Sequence, residues 1–135
     1  MLFHILSLLL PTILFCQKVE ALDPQRTAAE QVKISSCHDG DTCTTSKGEK
    51  IRLACIQAAE LHGPRADPVS AKASRDYLRD LVVGKTVLIQ RLNKDQYGRT
   101  VAELFLNGSN LQQQMVAAGY AEIYWKYAAQ CAWTH

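Results

Sequence analysis

No part of this 135-residue chain offers the ~20 uninterrupted apolar residues that a helix needs to cross a bilayer. It also lacks internal repeats, low-complexity tracts and any Cys-x-x-Cys pair, and its formal net charge is only +2. These absences argue against a membrane bundle, a collagen-like or disordered chain, and a structural zinc site, since His38 is the only imidazole near Cys37 and Cys43. So small a charge steers a polyanion weakly at long range, so affinity for one must come from local clusters of Lys and Arg. The length leaves room for one core.

What the chain does have begins with an apolar segment, Leu2 to Phe15, that carries no Lys, Arg, Asp or Glu and is interrupted by Pro11. Val19-Glu20-Ala21 follows, a pattern suited to signal-peptidase cleavage after Ala21. Residues 1–21 are therefore expected to be a signal peptide, 22–31 a polar, flexible leader containing Pro24, and 32–135 the folded domain. Cleavage removes Lys18 and Glu20 together, so the formal charge stays at +2. The expected location is secreted or otherwise extracytoplasmic, with an uncleaved N-terminal anchor as the alternative. Bulky Phe15 before Cys16 fits lipid attachment poorly.

Cys37, Cys43, Cys55 and Cys131 remain after cleavage. Export favours disulfides, and four cysteines allow three pairings that the sequence does not choose between. Cys37 with Cys43 is favoured because the two flank a short turn; closing so small a loop stabilises by roughly 2 kcal/mol.

Val32, Ile34 and Ser36 alternate with Lys33 and Ser35, which predicts a strand that ends at the Asp39-Gly40 turn signal. Thr42 to Thr45 makes a second strand and Lys50 to Gln57 a third, with Ile51, Leu53 and Cys55 on one face and Arg52, Ala54 and Ile56 on the other. A helix is predicted over about Ser70 to Val83, with Gly84 ending it. Strands at Thr86 to Leu92 and Thr100 to Leu106 follow. A second helix is expected to be capped by Ser109 and Gln112, to bury Leu111, Met115 and Ala118, and to end at Gly119. The order β-β-β-α-β-β-α is that of a mainly β domain, a five-stranded barrel of the oligonucleotide-binding (OB) type.

Candidate chemistry gathers in a few places. His38-Asp39-Gly40-Asp41-Thr42 sets two carboxylates at a hairpin, where hard oxygen ligands suit Ca²⁺, although Asp-Gly is also an ordinary turn dipeptide. Arg52 and Arg99 are strand arginines whose plain reading is to snorkel to water; converging on one phosphate, they would instead give paired forks that Lys cannot reproduce. Glu60 is either a solvated loop carboxylate or a general base. The aromatic rings of Tyr120, Tyr124, Trp125, Tyr127 and Trp133 would pack a barrel rim or stack on bases.

Asp39-Gly40-Asp41-Thr42, Ile51-Arg52-Leu53 leading to Glu60, Asp95-Gln96-Tyr97-Gly98-Arg99 and Gly119-Tyr120-Ala121 occur in that order. Over about Val32 to Tyr127 the chain resembles the staphylococcal nuclease (thermonuclease) family. The resemblance implies a Ca²⁺-dependent phosphodiesterase acting on DNA, RNA or both. A monomer is expected, with no stable membrane partner after signal cleavage. By position, Asp41 and Gln57 would be metal ligands, Arg52 and Arg99 would clamp the phosphate, and Glu60 would act on water. Tyr97, Trp125 and Tyr127 would contact the nucleotide. The chain departs from the family pattern where Gln57 stands for a calcium-ligating Asp, Ala58 for Thr, and Ala59 for the Pro before Glu60. It also ends at Trp133-Thr134-His135, where the family continues into another helix. The metal cage is thus expected to be short of one carboxylate, and barrel surface near Trp125 and Trp133 to be uncovered. A nucleic-acid-binding barrel with weak or no catalysis is the runner-up. A protein-interaction barrel is disfavoured because Arg52, Glu60 and Arg99 are all present.

Overall fold

The computed structural model describes residues 30–135. The expected signal peptide 1–21, with Cys16, and leader residues 22–29 lie outside the described residues. In chain order the elements are β1 (Glu30–Asp39), β2 (Thr42–Thr45), β3 (Lys50–Leu53), β4 (Ile56–Gln57), α1 (Pro68–Val82), β5 (Thr86–Lys94), β6 (Thr100–Leu106), β7 (Ser109–Asn110), α2 (Leu111–Ala117) and β8 (Glu122–Ile123). Two 3₁₀ turns follow, Ala128–Gln130 and Ala132–Thr134.

Strands β1, β2 and β3 form the expected antiparallel meander, β1 continues onto β5, and β5 onto β6. Parallel pairing of β3 with β6 then closes the circle, leaving a five-stranded OB-type barrel with two helices. Alternation is what makes this possible. Ile34, Ile51, Leu53, Val87, Ile89, Ala102 and Leu104 point inward and are buried, while alternate residues such as Lys33, Ser35, Lys50 and Thr86 are exposed. Leu78 and Val82 from α1, and Leu111 and Met115 from α2, complete that core. Helix α1 begins where Asp67 Oδ1 accepts from the Ser70 N–H at 3.2 Å and Pro68 takes the first turn, whose donors need no intrahelical partner. Arg79 Nε donates to the Cys37 carbonyl at 2.9 Å and ties the helix to β1.

Several local expectations need correction. Glu30 and Gln31, assigned to the leader, already pair with Ile89 and Leu88. The third strand does not run through to Gln57. It stops at Leu53, turns at Ala54-Cys55 with Cys55 at φ 66°, and resumes as β4, which pairs with β8 rather than with the barrel. Ile56 is buried in the same core as Ile51 and Leu53, although the strand alternation placed it on the opposite face. Asn110, not Ser109, caps α2, its side chain accepting from the Gln113 N–H at 3.0 Å. Gln112 is fully buried, its Oε1 accepting from the Leu104 N–H at 3.1 Å, and Ala118 is exposed. The end of the chain also covers more than expected. Trp133 is half-buried and donates its indole N–H to Glu103 Oε1 at 2.8 Å, while Trp125 remains 68% exposed.

Both disulfides are resolved by the fold. Cys37 and Cys43 face each other across β1 and β2, as favoured from their spacing. Cys55 and Cys131 form the second pair, joining the turn after β3 to the chain terminus.

Candidate active site

One open cleft of about 840 Å³ lies where the β1–β2 hairpin, the β3–β4 turn, the β5–β6 loop and residues 124–130 meet. Asp41, Arg52, Gln57, Glu60, Tyr97, Arg99 and Tyr127 all line it. Trp125 does not line it, and its ring is exposed beside the lining residues Tyr124 and Lys126.

Local structure explains why Asp41 points inward. Bulges in β1 at Ile34/Ser36 and Cys37/Asp39 bend the hairpin, and the Asp41 N–H donates to Asp39 Oδ1 at 3.0 Å. The turn then packs tightly: a Cβ built on Gly40 would lie 2.6 Å from Ser74 Cβ and 2.7 Å from Ala58 Cβ, which explains glycine there. Asp41 is buried and satisfied, Oδ2 accepting from the Ala58 N–H at 2.9 Å and Oδ1 from the Thr42 hydroxyl at 3.2 Å. Burial pushes its carboxyl up to about 6, although the Arg52 guanidinium pulls in the opposite direction.

Arg52 lies across this carboxylate with Nη2 at 3.4 Å from Asp41 Oδ2. Its Nη1 donates to the Leu53 carbonyl at 2.6 Å, and Nη2 donates to the Ile56 carbonyl at 2.8 Å and to Gln57 Oε1 at 3.4 Å. The break in the third strand supplies these acceptors, because the turn brings both carbonyls back over the guanidinium. Arg99 approaches from the other side. Its Nη1 donates to the Thr42 hydroxyl at 3.3 Å, and Thr42 in turn bonds Asp41. A continuous chain, Arg52–Asp41–Thr42–Arg99, therefore joins the two guanidiniums expected from the sequence.

Asp95 and Lys126 escaped the sequence-based assignment of roles. Asp95 Oδ2 accepts from Arg99 Nε at 2.7 Å, and its Oδ1 accepts the N–H groups of Tyr97 and Arg99. Burial raises its carboxyl, but these bonds outweigh that and hold it below its ordinary value. The spacing Asp-x-x-x-Arg around a Gly was the available signal. Lys126 sits 5.3 Å over the Tyr127 ring, and Arg99 5.5 Å over that of Tyr97, so a cation accompanies an exposed aromatic ring on each side of the cleft. Glu60 is exposed in the loop after β4; its carbonyl accepts from the Asp67 N–H at 3.0 Å.

Calcium requires about six to eight oxygen ligands. Asp41 and Gln57 offer one carboxylate and one amide, and Asp41 Oδ2 and Gln57 Oε1 each lie 3.4 Å from Arg52 Nη2. No group of three or more His, Cys, Asp or Glu side chains converges as metal ligands among the described residues. As arranged, the donors do not fit a calcium cage.

Comparison with known proteins agrees with the fold. Residues 50–133 match the family described as "Staphylococcal nuclease homologue". A protein of Haemophilus influenzae named "Uncharacterized endonuclease" is 32% identical over 123 residues, covering 90% of this chain and 66% of that protein. One of the same name from Escherichia coli O157:H7 is 36% identical over 93 residues, covering 66% of this chain and 58% of its own length. The "Probable staphylococcal-like nuclease CAN2" of Oryza sativa subsp. japonica is 32% identical over 108 residues, covering 78% of this chain and 27% of that protein. The chain thus spans between about a quarter and two thirds of the length of these relatives. With a match extending over more than half its length, and with a closed OB-type barrel carrying Arg52, Asp41 and Arg99 in one cleft, the chain belongs to the staphylococcal nuclease family.

Proposed function

We propose that the protein is an exported nuclease that hydrolyses phosphodiester bonds of DNA, RNA or both. The observation that carries this reading is the chain Arg52–Asp41–Thr42–Arg99, which holds two guanidiniums on either side of a buried carboxylate in an open cleft. Relatives named as endonucleases and staphylococcal-like nucleases support it.

Phosphodiester hydrolysis develops charge on the non-bridging oxygens as water attacks in line with the leaving oxygen. Arg52 and Arg99 would take those oxygens in charge-assisted forks, with Asp41 and Asp95 fixing the two guanidiniums beforehand. Glu60, exposed on the cleft wall, is the candidate base that takes the proton of the attacking water. The new P–O bond forms as the bond to the leaving oxygen breaks, and that oxygen takes a proton from solvent. Tyr97 and Tyr127 would flank the nucleotide. The resemblance implies calcium held by Asp41 and Gln57, but their donors do not fit it, and no step above passes through a metal.

Two disulfides in the described domain support export, because such bonds persist in oxidising compartments. The seating of Arg52 against both Asp41 and Gln57 favours the weaker reading, a nucleic-acid-binding barrel with little turnover. Incubating the purified chain with labelled single-stranded DNA and RNA, with and without Ca²⁺, separates the two. Cleavage lost in Glu60→Gln supports the nuclease; binding without cleavage supports the barrel.

A further inference from the structure

The turn at Ala54-Cys55 anchors two separate parts of the cleft. On its inner side, the carbonyls of Leu53 and Ile56 hold the Arg52 guanidinium at 2.6 and 2.8 Å. On its outer side, the Cys55 carbonyl accepts from the Tyr124 N–H at 2.8 Å, and the Tyr127 carbonyl lies 3.4 Å from Cys55 Sγ. A bonded disulfide sulfur has no proton to donate, so the latter is a packing contact. Cys55 Sγ is joined to Cys131, and the pair is buried with Ala54 against Leu92, Val101 and Trp133. Between the two tethers runs the segment Tyr124–Gln130, from which Tyr124, Lys126, Tyr127 and Gln130 line the cleft. That segment contains no α-helix or strand of its own; the 3₁₀ turn Ala128–Gln130 is its only regular piece. The β4–β8 pairing fixes the chain just before this segment, and the Cys55 turn holds it at both ends, through the Tyr124 N–H and through Cys131.

We propose that the Cys55–Cys131 bridge is a positioning crosslink. It fixes the aromatic and cationic wall formed by Tyr124, Lys126 and Tyr127 at a set distance from the phosphate-holding Arg52. Its role is in nucleotide binding rather than in the bond-breaking step. The inference rests on the nuclease reading for its substrate class, a single-stranded nucleic acid whose phosphate meets the guanidiniums while a base meets the wall. Residues 55 and 131 touch no substrate; they act through the wall. Order imposed before binding lowers the cost of binding, so loss of the bridge should weaken KM and Kd while leaving kcat nearly intact.

The test replaces both cysteines, Cys55→Ser with Cys131→Ser, and compares the variant with the parent and with Val87→Ala. Val87 is a buried β5 residue outside the cleft lining, so its truncation controls for general destabilisation. Binding of a fluorescein-labelled oligonucleotide is read by anisotropy in EDTA, and KM and kcat are read separately, below the melting temperature of every variant. The expected result is a rise in Kd and KM of about tenfold in the double variant, near the worth of one stacked base, with kcat within about threefold and no such rise in Val87→Ala. If the serine pair does not fold, Cys55→Gly with Cys131→Ala takes its place, since glycine suits the left-handed backbone of residue 55. An unchanged Kd in a folded variant, or an equal rise in Val87→Ala, overturns the crosslink while leaving the nuclease reading standing. A parent that neither binds nor cuts nucleic acid overturns both.

Discussion

Replacing Gly40 by alanine probes the link between packing and chemistry most sharply. The new methyl carbon would meet Ser74 Cβ at 2.6 Å and Ala58 Cβ at 2.7 Å, where ordinary contact begins at 3.4 Å. Neither neighbour is the free end of a flexible side chain, so the hairpin, α1 or the segment after β4 must move. Overpacking of this kind costs about 1–3 kcal/mol. For a domain of this size that lowers the melting temperature by roughly 5–20 °C. The damage should also reach the cleft, because the Ala58 N–H that would be displaced is the one holding Asp41 Oδ2. Turnover at a temperature where the variant is fully folded should fall by about tenfold or more, as expected for a misplaced catalytic group. Ala58→Gly in the same background removes one of the two clashes and should recover part of both losses. Thermal unfolding followed by circular dichroism and a steady-state cleavage assay read the two effects. Gly40→Ala with the parent's melting temperature and turnover would refute the reasoning.

Three further outcomes are expected. Hydrogen bonding from Arg91, outweighing the burial that raises it, draws the Glu49 carboxyl from 4.5 down to about 2, so its contribution is complete above pH 4.5 and is lost as pH falls toward 2. After allowance for solvent screening that contribution is about 1–2 kcal/mol, and the melting-temperature gap between the parent and Glu49→Gln should close across this window; a gap independent of pH would contradict it. The calcium site that the resemblance implies is tested by Gln57→Asp, which adds the missing carboxylate beside Asp41: on that reading calcium binding tightens by roughly one to two decades in calorimetric titration, whereas identical titrations would bear out the misfit of the donors. Mass spectrometry of the exported protein should show cleavage near Ala21, and a soluble cytoplasmic product with Met1 intact would defeat that proposal.

Much of the barrel could be read from the sequence because its strands alternate cleanly. Ile34, Ile51, Leu53, Val87 and Leu104 each fall on an inward register, and the two helices begin and end close to their cap signals. The sequence was least informative where tertiary contacts override local pattern. Ile51, Leu53 and Cys55 continue a perfect strand alternation, yet Cys55 takes a left-handed conformation held by a partner 76 residues away. Gln112 fits a capping box, but burial in the barrel makes it a bridge to β6 instead. The site followed the same division. Arg52, Asp41 and Arg99 were found as residues in linked motifs, while the Thr42 hydroxyl that joins them and the Asp95 fork on Arg99 depend on side-chain geometry that spacing does not encode. Trp125 takes its nucleotide role from the family resemblance, and it does not line the cleft although Tyr124 and Lys126 on either side of it do.

The central claim is that Arg52 and Arg99 act together on one phosphate, and a double-mutant cycle on kcat/KM tests it most directly. Arg52→Lys and Arg99→Lys each keep the charge but lose the planar fork, so each should cut kcat/KM for a short oligonucleotide by about a hundredfold or more with the fold intact. Because both would serve the same group, the double variant should lose less than the product of the single losses, with a coupling of at least about 1 kcal/mol. Losses that simply multiply, or single variants as active as the parent, would show that the two guanidiniums do not share a phosphate and would contradict the account.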